Sequence, residues 1–279
     1  MGQQSGQNVR ADGSIAPALT PEGIGQATRS FAEAGYVVLR DVVPKDKLAA
    51  LHTDLMTEFD SQSRAGRLFS GGGLISGHLN CFPGEQSRFA YDAIKAHGVI
   101  DLVKALQPGV ENDMRVGCNF NLPGSVAQHY HADGVFTEGF LVVNVAVVDT
   151  EIANGAIDVL PGTHKKFYKF WRYAAERAYK RTTRLPMKQG DVLVRSSNLW
   201  HRGMPNLTNA PRPMIALTFG EKGGSLPDPY SKDNGKITFH PNWYTPSLLG
   251  RIRERTFVKV PLSYSAYRLA RSLIGNKGY

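Results

Sequence analysis

The spacing of apolar side chains changes character along this chain, from a helical period near its start to a strand period beyond residue 114. Ile24, Ala27, Phe31 and Ala34 recur at helical spacing behind Thr20-Pro21-Glu22, a cap residue followed by a proline suited to a first turn. Gly35 ends that predicted helix, and Tyr36-Val37-Val38-Leu39 reads as a strand. Pro44 opens a second helix over residues 45–59, with Leu48, Leu51 and Leu55 on one side. Residues 61–83, with Gly71-Gly72-Gly73, Gly77 and Pro83, read as a long loop, and a helix is expected over 85–107. Residues 114–121 then alternate: Val116, Cys118 and Phe120 share one face, and Arg115, Asn119 and Asn121 share the other. Further strands are expected at 127–133, 140–149, 156–160, 192–194, 198–204 and 212–220, with a basic, aromatic helix over 164–181. Short strands parted by turns predict a mainly β fold with flanking helices. The expected form is two sheets wound as a jelly roll, a double-stranded β-helix, with the N-terminal helices packed on one sheet. A strand with one polar face inside apolar surroundings suggests a barrel that lines a polar pocket. Residues 1–18 read as a flexible leader, 19–245 as the barrel domain, and 246–279 as a basic helical extension packed on it.

The segment Gln128-His129-Tyr130-His131-Ala132-Asp133-Gly134 carries the strongest candidate chemistry. On a strand, His129, His131 and Asp133 would all face the same way, and a histidine with a carboxylate two residues on can hold two neighbouring positions of a metal. A third ligand from a distant strand would complete the two-histidine, one-carboxylate set of non-heme iron oxygenases. His52 and His97 lie on predicted helices, His164 follows a turn and His240 lies in a proline-rich loop; His201 is on a late strand. Eleven residues later Arg212 opens the last strand. A guanidinium near a metal suits a dicarboxylate co-substrate, whose remote carboxylate it grips through two parallel hydrogen bonds. His129 competes with His131 for the metal, because H-x-H on a strand also suggests a cupin. The glutamate a cupin needs three or four residues later is replaced by Val135 or Phe136, which favours a pocket-lining place for His129.

These residues resemble the phytanoyl-CoA dioxygenase-like group of iron- and 2-oxoglutarate-dependent dioxygenases. Gly35-Tyr36-Val37-Val38-Leu39, Asn154-Gly155-Ala156-Ile157, Pro161-Gly162-Thr163-His164-Lys165, Gly190-Asp191 and the Trp200-His201-Arg202-Gly203 run toward Asn206 extend the likeness over residues 20–220. The resemblance implies Fe(II) held by His131, Asp133 and His201, with Arg212 on the distal carboxylate of 2-oxoglutarate. It also implies O2 consumption and hydroxylation of an aliphatic C–H, with release of succinate and CO2. A carboxylate at Asp133, where halogenase relatives have a small residue, favours hydroxylation. Relatives often carry a hydroxyl two residues after the distal histidine to help bind the co-substrate; here that residue is Gly203. Asn119 is then the expected helper, with Thr137, Asn121 and Asn144 as alternatives. His129, His78 and Asn121 are candidates for touching substrate. Two readings outside this class stay open: a cupin-type metal enzyme that does not use 2-oxoglutarate, and a non-catalytic binding module on the same barrel.

Composition changes this picture in two places. The net charge of +9 is concentrated: residues 164–184 hold eight Lys/Arg against Glu176, and residues 251–279 hold seven against Glu254. These stretches favour an anionic small-molecule substrate and not a nucleic acid. The later one has Leu262, Ala266, Leu269, Ala270, Leu273 and Ile274 at helical spacing among its cations, the pattern of a peripheral membrane contact or a homodimer face. The glycine-rich run lacks the lysine and hydroxyl of a phosphate-binding loop. Cys81 and Cys118 form neither a disulfide framework nor a zinc cluster. With no secretory leader and no run of about 18 apolar residues, a cytoplasmic setting is expected.

Overall fold

A computed structural model describes residues 18–68, 76–221, 228–239 and 247–273. His240, Ile274 and the Gly71–Gly73 run lie outside the described residues, as does most of the predicted leader.

Among the described residues, ten strands form two sheets: β1 (Tyr36–Leu39), β2 (His78–Pro83), β3 (Met114–Asn121), β4 (Leu141–Ala146), β5 (Ile157–Val159), β6 (Thr183–Leu185), β7 (Val192–Ser196), β8 (His201–Arg202), β9 (Arg212–Phe219) and β10 (Ile237–Thr238). The large sheet runs β1-β7-β4-β9-β3-β2-β10, the small one β6-β5-β8, and every strand pair is antiparallel. The helices α1 (Pro21–Ala34), α2 (Lys45–Arg64), α3 (Arg88–Ala96) and α4 (Val99–Leu106) cover one face of the large sheet. Leu48, Leu51 and Leu55 of α2 are buried there with Val116, Cys118 and Phe120, so the face read from alternation in β3 is the helix-covered one. The opposite face packs on the small sheet through Ala146, Leu193 and Met214 against Val159, Leu185 and Leu199. This is the jelly roll that the strand pattern predicted, with helices on one sheet. The polar half of β3 turns into the space between the two sheets.

Several elements differ from expectation. The helix expected over 85–107 is broken at Gly98, whose φ of 85° no helical residue adopts, giving α3 and α4. Residues 78–83, read as the end of a loop, form β2, paired in register with β3. The basic 164–181 segment is helical only over α5 (Phe170–Ala175), flanked by single turns. The strand expected at 127–133 is reduced to one bridge between His131 and His201. The C-terminal segment forms two helices, α6 (Leu248–Lys259) and α7 (Ser263–Leu273). Among the described residues, no helix is long and apolar enough to cross a membrane.

Candidate metal centre

The segment carrying His131 and Asp133 is held to the late strand by backbone hydrogen bonds, without regular sheet. Gln128 N donates to Gly203 O (2.8 Å), His131 and His201 exchange N–H···O bonds (3.0 and 2.9 Å), and Asp133 N donates to Ser197 O (2.8 Å). That zipper brings together three side chains from sequence positions seventy residues apart. One ligand atom from each of His131, Asp133 and His201 lies within 4.8 Å of the others. Nε2 of His131 is 3.7 Å from one Asp133 oxygen, and Nε2 of His201 is 3.6 Å from the other.

The tautomers suit metal binding. Nδ1 of His131 lies 2.7 Å from the carbonyl of His129, and Nδ1 of His201 lies 2.9 Å from that of Leu199. A carbonyl only accepts, so each Nδ1 carries the proton and each Nε2 presents a lone pair toward Asp133. Burial, helped by the nearby Arg195 cation, pushes His201 down to about 3, so it is neutral near pH 7. Burial would raise Asp133, but the Arg195 guanidinium and the two imidazoles outweigh it and hold the carboxylate well below its usual range. Two imidazole nitrogens and one carboxylate, all within 4.8 Å of one another, fit a divalent iron ion.

Arg195 was not foreseen. It enters from β7, is 6% exposed, sets Nη1 2.7 Å from Asp133 and donates from Nε to Asn144 Oδ1 (3.2 Å). Its signal was present as an arginine on the inward parity of an otherwise apolar strand, two residues after Leu193. Asn144, weighed as a helper, is occupied by this contact.

Arg212 lies in the interior, 4% exposed, and burial lowers it to about 10. Its Nη2 donates to the carbonyl of Gly155 (3.1 Å), yet among the described residues no carboxylate lies within ion-pair distance. A buried cation without an acid is costly unless an anionic ligand completes it. In the sheet register, His78 of β2 stands opposite Asn121 of β3, which stands opposite Arg212 of β9. One row of the polar face therefore runs from His78 to Arg212.

His78, expected in a long loop as a candidate for touching substrate, is 2% exposed. Its Nε2 donates to Val126 O (2.8 Å), which leaves Nδ1 without a partner, and burial pushes it down to about 4. It also explains the glycine at 203. A Cβ there would lie 2.6 Å from His78 Cε1, so the imidazole fills the space that a side chain on residue 203 would need.

The remaining candidates divide. Asn119 faces the same side as Arg212, opposite Met214, and is half-buried. Asn121 is spent on structure: its Nδ2 donates to Met204 O (3.0 Å) and its Oδ1 accepts from Ser125 (2.6 Å). Thr137 stands exposed on the turn Phe136–Glu138, off the barrel strands. His129 is turned away from the ligand trio, its ring stacked on Tyr264 of α7 at 3.6 Å and 9°. His164 packs edge-on against Phe31, 5.9 Å between centroids. Behind His201, Trp200 joins Tyr130, Tyr168, Phe170 and Tyr173 in an aromatic cluster.

The model of the family described as phytanoyl-CoA dioxygenase (PhyH) matches residues 31–214. Among solved structures, the epimerase SnoN in complex with Fe3+, alpha ketoglutarate and nogalamycin RO is similar at 16% identity and a TM-score of 0.54, covering 72% of this chain and 85% of that one. EvdO2 from Micromonospora carbonacea var. aurantiaca, complexed with 2-oxoglutarate, is similar at 16% identity and TM-score 0.51, covering 73% and 93%. EctD from S. alaskensis with bound Fe gives 18% and 0.55, covering 76% and 82%. At such identities the likeness shows a common fold.

Proposed function

The chain belongs to the phytanoyl-CoA dioxygenase family, and from that premise we propose that it is an Fe(II)- and 2-oxoglutarate-dependent dioxygenase hydroxylating an aliphatic C–H of an anionic small molecule in the cytoplasm. The observation that carries this reading is a ready metal triad, His131, Asp133 and His201, together with a buried guanidinium, Arg212, that has no carboxylate partner among the described residues. Bound iron with 2-oxoglutarate would supply the oxidising chemistry. The chain's own residues bind and orient. The Nε2 atoms of His131 and His201 and the carboxylate of Asp133 would hold the metal. Arg212 would bind the remote carboxylate of the co-substrate, in buried surroundings where water competes poorly. The Arg195–Asn144 contact keeps Asp133 ionised and turned toward the imidazoles. A cupin-type isomerase would leave Arg212 with no partner.

Charge supports the anionic substrate. A divalent ion, Asp133, Arg195, Arg212 and a doubly charged co-substrate leave one positive charge uncompensated in the pocket, and a substrate carboxylate or phosphate would balance it. The cytoplasmic setting is supported by Cys81 and Cys118. They stand opposite each other on β2 and β3, buried, and both thiols are free.

The test is anaerobic addition of Fe(II) and 2-oxoglutarate, watching for the weak visible band of the chelate, followed by succinate measurement in air. Absence of both band and succinate would sink the reading. His131→Ala removes the band, and His129→Ala keeps it. Screening anionic metabolites for succinate formation coupled to a product that gains one oxygen identifies the substrate. A coupled product of unchanged mass, or one that has lost two hydrogens, replaces hydroxylation by epimerisation or ring closure.

A further inference from the structure

The C-terminal hairpin, α6 and α7, buries the wrong residues for a helix that merely packs on a barrel. In α7 the buried side chains are Arg268 and Ser272. Arg268 lies over Phe170, Trp200 and Tyr264, 5.7 Å from each ring, and Tyr264 stacks on His129. Leu269 and Leu273 are 42% and 72% exposed. At about 100° per residue these two are centred roughly a quarter turn round the helix from Arg268 and Ser272, on its exposed flank. The same holds for α6, where Leu248, Leu249 and Ile252 are 66%, 77% and 52% exposed, and for Leu262 in the connecting turn, at 80%. Of fourteen exposed large hydrophobic residues among those described, eight fall in 248–273, so the apolar surface is concentrated on this hairpin. Patches of this kind on otherwise polar proteins mark interaction surfaces.

Cations accompany the apolar side chains. Arg253, Arg255, Lys259 and Arg271 are exposed, and among the described side chains none has an ion-pair partner. A two-fold contact between copies would bring these like charges together around its apolar centre, and protein interfaces are depleted of such charges at their cores. An anionic lipid surface satisfies both components at once: leucines enter the acyl boundary while arginine and lysine meet the headgroups.

We propose that the outer face of the α6–α7 hairpin docks on an anionic bilayer, with its inner face seated over His129 and Trp200, the latter adjoining the metal ligand His201. The inference stands apart from the dioxygenase reading, because it concerns the outer surface and needs no metal.

The experiment is co-sedimentation of the full-length, metal-free protein with vesicles of phosphatidylcholine alone or mixed with phosphatidylglycerol. Pelleting is expected with the mixed vesicles only, falling as salt rises. Leu269→Ser with Leu273→Ser should weaken partitioning by about tenfold or more. Arg255→Glu with Lys259→Glu should remove the preference for anionic lipid. All four positions are exposed, so thermal unfolding of both variants should match the parent. No pelleting at low salt, equal pelleting with both vesicle types, or unchanged pelleting of the leucine variant would each overturn the proposal. So would a concentration-dependent dimer, seen by light scattering, that the leucine variant abolishes; the face would then belong to a second copy.

Discussion

Gly203→Ser restores the hydroxyl that relatives often carry two residues after the distal histidine, and in this chain it should be destabilising. Gly203 is bound on both sides of its backbone: its N donates to Gln128 Oε1 and its O accepts from Gln128 N, both at 2.8 Å. It lacks the left-handed conformation that would make any side chain strained, so the cost is steric. An added Cβ meets His78 Cε1 at 2.6 Å, His78 Nδ1 at 2.8 Å and Gln128 Oε1 at 2.9 Å. The imidazole cannot swing clear, being buried and tied through Nε2 to Val126 O. Overpacking a rigid interior costs about 2 kcal/mol, which lowers Tm by roughly 6 °C in a chain of this size. His78→Ala alone also destabilises, by opening a cavity and stranding a carbonyl. The double variant should recover about 1 kcal/mol or more relative to the sum, because the two residues compete for one space. Urea unfolding of the metal-free protein measures all three variants. A Gly203→Ser variant as stable as the parent, or strictly additive effects, would show that His78 does not occupy that space.

Arg212→Met should separate function from stability. Loss of the buried cation weakens 2-oxoglutarate binding by roughly thirtyfold or more, read from the anaerobic titration, while the metal-free protein keeps or gains stability because an acid-free buried charge is gone. His78 provides a pH dependence. Burial pushes its folded pKa down to about 4, below its unfolded value of about 6.5, so the unfolded chain takes up the proton first on acidification. The stability held by neutral His78 is complete above that unfolded value and drains away as pH falls toward the folded one, by about 3 kcal/mol. His78→Asn should lose correspondingly less between neutral and mildly acid pH, and parallel losses would refute the assignment. Arg195→Met removes the guanidinium that keeps Asp133 ionised, so Fe(II) binding should fail on acidification at a higher pH than in the parent; an unmoved acid limb would show that Asp133 does not depend on Arg195. Phe120→Ala, at the junction of Phe59 and Phe239, should cost about 3–5 kcal/mol without moving the iron–co-substrate band.

The elements legible in the sequence were those whose pattern is local. The alternation of residues 114–121 placed Val116, Cys118 and Phe120 of β3 on the face that the helices cover. The leucine spacing of α2 identified its buried stripe, although the helix runs on to Arg64. His131 and Asp133 were legible as a pair because they lie two positions apart, even though no strand holds them; the bridge to His201 does the work expected of a strand. Illegible were the features set by register between distant strands. His78 and Asn80 alternate with Leu79 and Cys81, but the glycines just before them hid the period, and nothing local could show that β2 lies beside β3. Arg195 reaches Asp133 only because β7 is drawn beside β4 and Ser197 receives the Asp133 amide. The same reasoning explains why Gly203 looked like a missing helper. Read along its own strand, it is a position without a hydroxyl; read across the barrel, it is the space that His78 needs. One polar row thus crosses the barrel from His78 through Asn121 to Arg212, and the space beside Gly203 is filled by a residue more than a hundred positions earlier. Changes at 78 and 203 should therefore be tolerated together more readily than singly, because the interior has room for an imidazole or for a side chain on residue 203, but not for both.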